Sequence, residues 1–176
     1  MLFRSHVDLL YSDPPWNQGN VNSFVTKAGL KTYIRSFGQF CDSLFARIDL
    51  FTPEICYLEI GKENYKQFST RLKKRFDFVQ DWQIRYYNKH PCYLLRGGPT
   101  ATETDFTNYD DTKTPTLAIR TDNPGSVADI CTGRGLTMIA AHNNYSKFIG
   151  TELNQRRLAV AIDRAAQAGV KYEKCN

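Results

Sequence analysis

Short apolar runs and stretches with helical spacing take turns along this chain, and that alternation leaves few folds open. Val7 to Tyr11, Ile55 to Ile60, Val127 to Ile130 and Phe148 to Glu152 read as strands, each closed by Pro, Gly or other turn residues. Between them, Tyr33, Ile34, Phe37, Cys41, Leu44, Phe45 and Ile48 recur at helical spacing and predict a helix over about 31–48. Tyr65, Phe68, Leu72 and Phe76 give the next helix its inner face, and Leu158, Ile162 and Ala165 do so for Arg156 to Ala168. A helix between two strands carries the chain back to the same sheet edge, so the pattern predicts an α/β domain with a mainly parallel sheet. Phe78 to Tyr87 and Cys92 to Leu95, joined by Asn88-Lys89-His90-Pro91, predict one antiparallel hairpin. Further short helices are expected from Pro115 to Arg120 and near 136–143, with a last short strand at Val170 to Glu173. Residues 17–30, with Gly19, Gly29 and several Asn, and the aperiodic stretch 97–113 read as loops.

At 176 residues there is room for one sizeable core, so 1–176 is read as one domain. Hydrophobic residues at 41% and charged residues at 23% exclude disordered, collagen-like and coiled-coil chains. No apolar run is long enough to span a bilayer, and Met1-Leu2-Phe3-Arg4 does not open a signal peptide; a soluble cytoplasmic protein without membrane partners is the expectation. Cys41, Cys56, Cys92, Cys131 and Cys175 are widely spaced and odd in number, which favours reduced core thiols over a disulfide framework. His90 and Cys92 lack a second ligand pair, so no metal is expected. The net charge of +5 suits a polyanionic partner, and six basic residues fall between Lys62 and Arg75. Lys73, Lys74 and Arg75 are the candidate nucleic-acid contacts, with a solvated helix face as the alternative.

Asp13-Pro14-Pro15-Trp16, at the end of the first strand, points to chemistry. An aromatic amine is a poor nucleophile because its lone pair is delocalised into the ring, and two acceptors aimed at its N–H bonds draw that pair back onto nitrogen. The Asp13 carboxylate and the Pro14 carbonyl are suited to be those acceptors, and their hydrogen bonds strengthen as the amine becomes tetrahedral and positive. Pro14 and Pro15 hold the geometry, and Trp16 offers a flat face for a base turned out of its helix, a contact worth about 1 to 3 kcal/mol. The plainer alternative is a strand-ending turn with a partly buried tryptophan.

The second constellation is Asp129-Ile130-Cys131-Thr132-Gly133-Arg134-Gly135 before a helix, followed by Gly150-Thr151-Glu152 after the next strand. A Gly-x-Gly turn lets backbone approach a ligand closely, and an acidic residue ending the next strand can bind ribose hydroxyls. Met138 stands where a third glycine would complete a dinucleotide fingerprint, so a cofactor with a ribose but no pyrophosphate fits better than a nicotinamide.

In this order the two constellations resemble the amino-group methyltransferases of nucleic acid, in their circularly permuted β-class form, over nearly the whole chain. The resemblance implies a Rossmann-like class I methyltransferase fold, a seven-stranded mainly parallel sheet with one antiparallel hairpin, and S-adenosyl-L-methionine as cofactor. It implies that Asp13, Pro14, Pro15 and Trp16 hold the target base. Asp129, Gly133 and Gly135 would line the methionine side, Glu152 would hold the ribose hydroxyls, and Thr132 is a further cofactor contact. Asn154, Thr114 and Pro115 are further cofactor candidates within a cofactor region spanning 114–154. Two departures stand out: the Asp-Pro-Phe opening of the family is Asp129-Ile130-Cys131 here, and Arg134 replaces a small residue between the glycines.

Asp at position 13 makes N6 of adenine in double-stranded DNA the favoured target. RNA adenine-N6, DNA cytosine-N4, and a non-catalytic module that binds cofactor or nucleic acid remain alternatives. The permutation would bring Val170 to Glu173 beside the start of Val7 to Tyr11. No separate recognition domain is expected, so base reading would fall to 17–30 and 97–113, with a short target or with a homodimer or partner subunit completing the surface. A short stand-alone chain of this kind resembles the methyltransferases of phage and restriction-modification systems.

Overall fold

The structure is a computed structural model that describes residues 6–31 and 36–173. Its strands β1 (Leu9–Ser12), β2 (Ile55–Gly61), β3 (Phe78–Tyr86), β4 (His90–Gly98), β5 (Ser126–Asp129) and β6 (Lys147–Gly150) form one sheet in the order β3-β4-β2-β1-β5-β6. β1 is parallel to β2 and β5, and β5 to β6, while β4 alone runs against its neighbours β2 and β3. The helices are α1 (Gln18–Lys27), α2 (Phe37–Phe51), α3 (Tyr65–Leu72), α4 (Thr114–Asp122), α5 (Leu136–Asn143) and α6 (Gln155–Gln167).

Alternating strand residues feed two cores. Leu10, Leu58, Ile60, Leu95 and Ala128 meet Leu44, Phe45 and Ile48 of α2 and Phe68 and Leu72 of α3 on one face. Leu9, Tyr11, Tyr57, Leu94 and Val127 meet Ala118 and Ile119 of α4 and Ala140 and Ala141 of α5 on the other. Every residue of β1 is buried because the strand is flanked on both edges and covered on both faces. Cys41, Cys56 and Cys92 are free and buried in these cores, as expected. Arg96 of β4 donates to Asp122 (2.7 Å) and to the Tyr57 hydroxyl (3.1 Å), a buried polar tie between sheet and α4. No helix among the described residues is long and apolar enough to cross a membrane.

Several expectations need correction. The sheet has six strands among the described residues, because Val170 to Glu173 forms none. Val170 N instead donates to Ala165 O (2.8 Å) and Gly169 N to Ala166 O (3.1 Å), with Gly169 at φ +71. These are the two bonds of a Schellman cap closing α6, which take the backbone a strand would need. No strand can lie beside β1 either, since β2 and β5 occupy both of its edges. In α6 the inward residues are Ala161 and Ala165, with Leu158 and Ile162 only half-buried.

Residues 17–30 are not a loop. Asn17 caps α1 by accepting from Asn20 N (2.9 Å), and Val21 and Val25, four apart, supply its buried face. The following helix begins at Phe37 behind a Ser36 cap; Tyr33 and Ile34 lie outside the described residues. Gly97 and Gly98 belong to β4, and the segment after them is anchored. Asn108 N donates to Gln83 O, Arg85 N to Tyr109 O and Asp111 N to Arg85 O, at 2.8, 2.8 and 3.0 Å. Phe106, fully buried, packs on Tyr57 and Trp82 with ring centroids at 5.8 and 4.9 Å.

Candidate active site

β1 delivers Asp13 to Trp16 at the edge of the sheet where β2 and β5 also end. Pro14 and Pro15 lack the N–H that would continue the ladder, so the chain leaves the sheet here. Trp16 is pinned on several sides. Its backbone N donates to Asn20 Oδ1 (3.2 Å), its carbonyl accepts from Asn64 Nδ2 (2.8 Å), and its ring meets Tyr86 edge-on at 4.8 Å. The ring also lies over Gly61, where an added Cβ would come within 2.9 Å of it. The indole Nε1–H donates to Asp13 Oδ1 at 2.8 Å. One carboxylate oxygen is thereby fixed and the other left for a ligand, and among the described residues nothing donates to the Pro14 carbonyl.

Asp13 is reached by solvent from one side and enclosed by protein on the others. That enclosure pushes its carboxyl up to about 7, with help from the charges of Asp129 and Asp111, against the Trp16 bond and Arg157, which lower it. Behind it Glu59 is buried and accepts from the Tyr11 hydroxyl. Burial, then the charge of Asp13, holds Glu59 well above the ordinary carboxylate range. The Asp13 carboxylate thus sits at the front of a row of acidic groups that keeps it a strong acceptor.

Asp129 is buried at the end of β5, where its Oδ1 accepts from Cys131 N (2.9 Å) and Ser12 Oγ (3.2 Å), and burial raises its carboxyl to about 6. The turn after it uses Gly133 at φ +56 and Gly135 at φ +82. A Cβ on Gly135 would stand 3.2 Å from Ala161 and crowd the Met138 methyl, and its φ of +82 favours glycine where α5 and α6 approach. Thr132 turns inward, its N donating to Thr151 O and its Oγ1 to Asp129 O, both at 3.0 Å. Glu152 bridges the turn by accepting from Gly133 N (2.8 Å) and Asn154 N (2.7 Å). Asn154 caps α6 through Arg156 N and Arg157 N and donates to Lys27 O at the end of α1.

A cavity of about 370 Å³ opens between these two constellations, within the size range of small-molecule sites. Asp13, Pro15, Glu152 and Asn154 line it, together with Cys131 and Ile130. Asp129, Thr132, Gly133 and Gly135 stand behind as the frame of the turn and do not line it, nor do Pro14 and Trp16. Thr114 and Pro115 are buried at the start of α4, with Thr114 Oγ1 donating to Asp110 O (2.8 Å), and are also outside the lining. Its other walls were not legible as site residues. They are Phe24 of α1, Phe40, Leu44 and Arg47 of α2, Leu153, and Arg157, whose guanidinium lies 4.5 Å from the Phe24 ring centroid. Phe40, Leu44 and Arg47 are spaced to share one helix face, the only sequence signal for that wall.

Lys73, Lys74 and Arg75 are not brought to this site. α3 leaves the edge where β2 ends and returns the chain to the opposite edge, where β3 begins at Phe78 opposite Gly98. Arg75 there donates to both Asp49 oxygens, at 2.6 and 2.8 Å, and lies 4.9 Å from the Phe45 ring centroid.

No family profile matches the sequence, and no curated protein is significantly similar to it. Solved structures are. TTHA0409 of Thermus thermophilus, given as a DNA modification methylase, superposes with a TM-score of 0.64 at 17% identity, over 96% of this chain and 90% of that one. M1.HpyAVI gives 0.60 at 15% identity over 92% and 88%. The cytosine-N4-specific PvuII DNA methyltransferase gives 0.60 at 11% identity over 98% and 82%. TTHA0409 and M1.HpyAVI also match in structures that contain S-adenosylmethionine. At these identities the likeness establishes the fold alone: an α/β domain whose described residues form a mixed six-stranded sheet with one antiparallel hairpin, as in these solved structures.

Proposed function

We propose that the chain transfers a methyl group from S-adenosylmethionine to the exocyclic N6 of adenine in double-stranded DNA, acting on a base turned out of the helix. The observation that carries this reading is the Asp13 carboxylate, fixed by the Trp16 indole beside the free Pro14 carbonyl, at the rim of a cavity that also holds Glu152. The cofactor likeness is supported by the cavity itself. Each Glu152 oxygen accepts one backbone N–H and keeps lone pairs for ribose hydroxyls, while Phe24, Phe40, Ile130 and Leu153 offer apolar walls to a flat ring. When bound there, S-adenosylmethionine supplies an electrophilic methyl group on a sulfonium whose leaving thioether is neutral, so no metal is required.

The chain's own part is positioning and electrostatics. Asp13 Oδ2 accepts one N–H of the target amine and the Pro14 carbonyl the other, and both bonds strengthen as nitrogen becomes tetrahedral. The proton then made acidic passes to the Asp13 carboxylate, whose raised affinity for protons suits it to receive one near neutral pH. Trp16 orients Asp13 and presents its ring to the base. Adenine is favoured over cytosine by Asp at position 13, and DNA by the named activity of the structures similar to this chain. Incubation with unmethylated DNA, RNA and labelled cofactor, followed by nucleoside analysis, tests the reading. N6-methyladenine from DNA is the expected product; N4-methylcytosine or an RNA product would replace the substrate, and no transfer would refute the activity.

A further inference from the structure

The sheet edge that carries Asp13 also carries an unused set of cations and aromatic rings. Lys62 directly follows Gly61, the end of β2, and Lys66 lies in the first turn of α3, two residues after Asn64, whose side chain holds Trp16. Lys89 sits in the β3–β4 turn, which overhangs the same edge: Gly61 is level with Cys92, and the hairpin continues to Tyr86 opposite His90. Two strand spacings separate β2 from β3, so Lys62 and Lys89 flank the Trp16 ring within about 10 Å of sheet width. All three lysines are exposed, and among the described residues no carboxylate pairs with them, whereas Arg71 and Arg75 are held by Asp42 and Asp49.

A second observation is independent of charge. Tyr87 and Asn88, at φ +49 and +57, form a left-handed two-residue turn of the kind that favours Asn and Gly. A tyrosine is strained in that position, yet it is held there by Asp111 Oδ1, which accepts from Tyr87 N at 2.9 Å, and the residue is 60% exposed. Its ring meets Tyr86 at 4.3 Å, and Tyr86 meets Trp16 at 4.8 Å, so a line of rings runs from the Asp13 carboxylate out to solvent. Strained residues cluster at functional sites, and Tyr87 is both exposed and joined by rings to the candidate site.

We propose that this edge is the nucleic-acid surface, with Lys62, Lys66 and Lys89 on phosphates and Tyr87 stacked on the nucleotide next to the extruded base. The assignment rests on the methyltransferase reading above and moves the contact surface away from Lys73, Lys74 and Arg75. The test is fluorescence anisotropy with a labelled DNA duplex between about 50 and 200 mM salt, run beside calorimetry with S-adenosylmethionine. In the triple variant Lys62→Gln/Lys66→Gln/Lys89→Gln, the log–log salt slope is expected to shrink by about 2 to 3, while Lys73→Gln/Lys74→Gln leaves it unchanged. Tyr87→Asn suits the turn, so its melting temperature should match or exceed wild type while duplex affinity drops about five- to a hundredfold; Tyr87→Phe should restore binding. A wild-type slope in the triple variant, or wild-type affinity in Tyr87→Asn, overturns the assignment of the residue concerned. A wild type that binds cofactor and duplex while the variants bind equally well defeats only this surface; a wild type that binds neither defeats the enzyme reading with it.

Discussion

Trp16→Phe separates two roles that the wild-type side chain combines. Phenylalanine keeps a flat ring between Gly61 and Tyr86 but removes the Nε1–H that donates to Asp13 Oδ1 at 2.8 Å. A hydrogen bond to a charged group is worth about 1.5 to 3 kcal/mol, and because solvent reaches Asp13 the lower end applies, which corresponds to roughly tenfold in turnover. The same bond lowers the Asp13 carboxyl, which burial has raised to about 7, so its loss moves that carboxyl further up. Turnover needs Asp13 ionised. Wild-type turnover should therefore climb with pH through about 7, and that rise should shift to higher pH in Trp16→Phe. Single-turnover rates with saturating cofactor across that range provide the assay, with calorimetry showing unchanged cofactor affinity. Wild-type rates and an unshifted profile in Trp16→Phe would refute the orienting role.

Other substitutions probe the neighbouring parts. Asp13→Ala should lose methylation by roughly two orders of magnitude or more in kcat while still binding cofactor in calorimetry, since it removes an acceptor whose bond strengthens in the transition state. Glu152→Ala removes the proposed ribose acceptor and leaves Gly133 N and Asn154 N without partners; calorimetry should show about tenfold or more weaker cofactor binding and a lowered melting temperature. In the folded chain Asp13 and Asp129 keep their protons up to about 7 and about 6, whereas unfolded they ionise from 3.8, so the folded state binds more protons across that window. Stability should then fall as pH rises from about 4 to 7, and denaturant titrations of Asp129→Asn should show a shallower fall. Sequencing of methylated positions should reveal a short or relaxed target; a strict site of about six base pairs methylated by a monomer would contradict it.

Much of this architecture was legible because burial dictates pattern. β1, β2 and β5, covered on both faces, show as short apolar runs broken in β2 only by Glu59 and ended by Ser12 and Asp129 in β1 and β5, and the tetrapeptide after β1 announces the chain's exit through two prolines. α1 was hidden because its signal is an Asn17 cap and only two buried valines among Gly and Asn, so turn chemistry masked a weakly amphipathic helix. The seventh strand failed for a different reason. Val170 and its neighbours have strand-like side chains, but their backbone closes the α6 cap, and backbone partners are invisible in composition. The cavity wall from α1 and α2 was unreadable for the same kind of reason: Phe24 and Arg157 meet across more than a hundred residues of chain.

The acidic segment after β4 does more than connect β4 to α4. Read as an exposed loop, Glu103, Asp105, Asp110 and Asp111 look like a recognition element obstructed by its own charge. Phe106 is in fact core, the Asp110 carboxylate is bonded to the N–H and hydroxyl of Thr112, and Asp111 is buried, gripping the turn that displays Tyr87. Through Phe106 and Asp111 the segment braces the hairpin from behind, while Glu103 and Asp105 stay on the surface. With α1 also folded against the cavity, the hairpin turn and the start of α3 are the surfaces proposed to meet the duplex. A target read by so few side chains is expected to be short, and the Asp111 bond to Tyr87 N holds one of them in place before the duplex arrives.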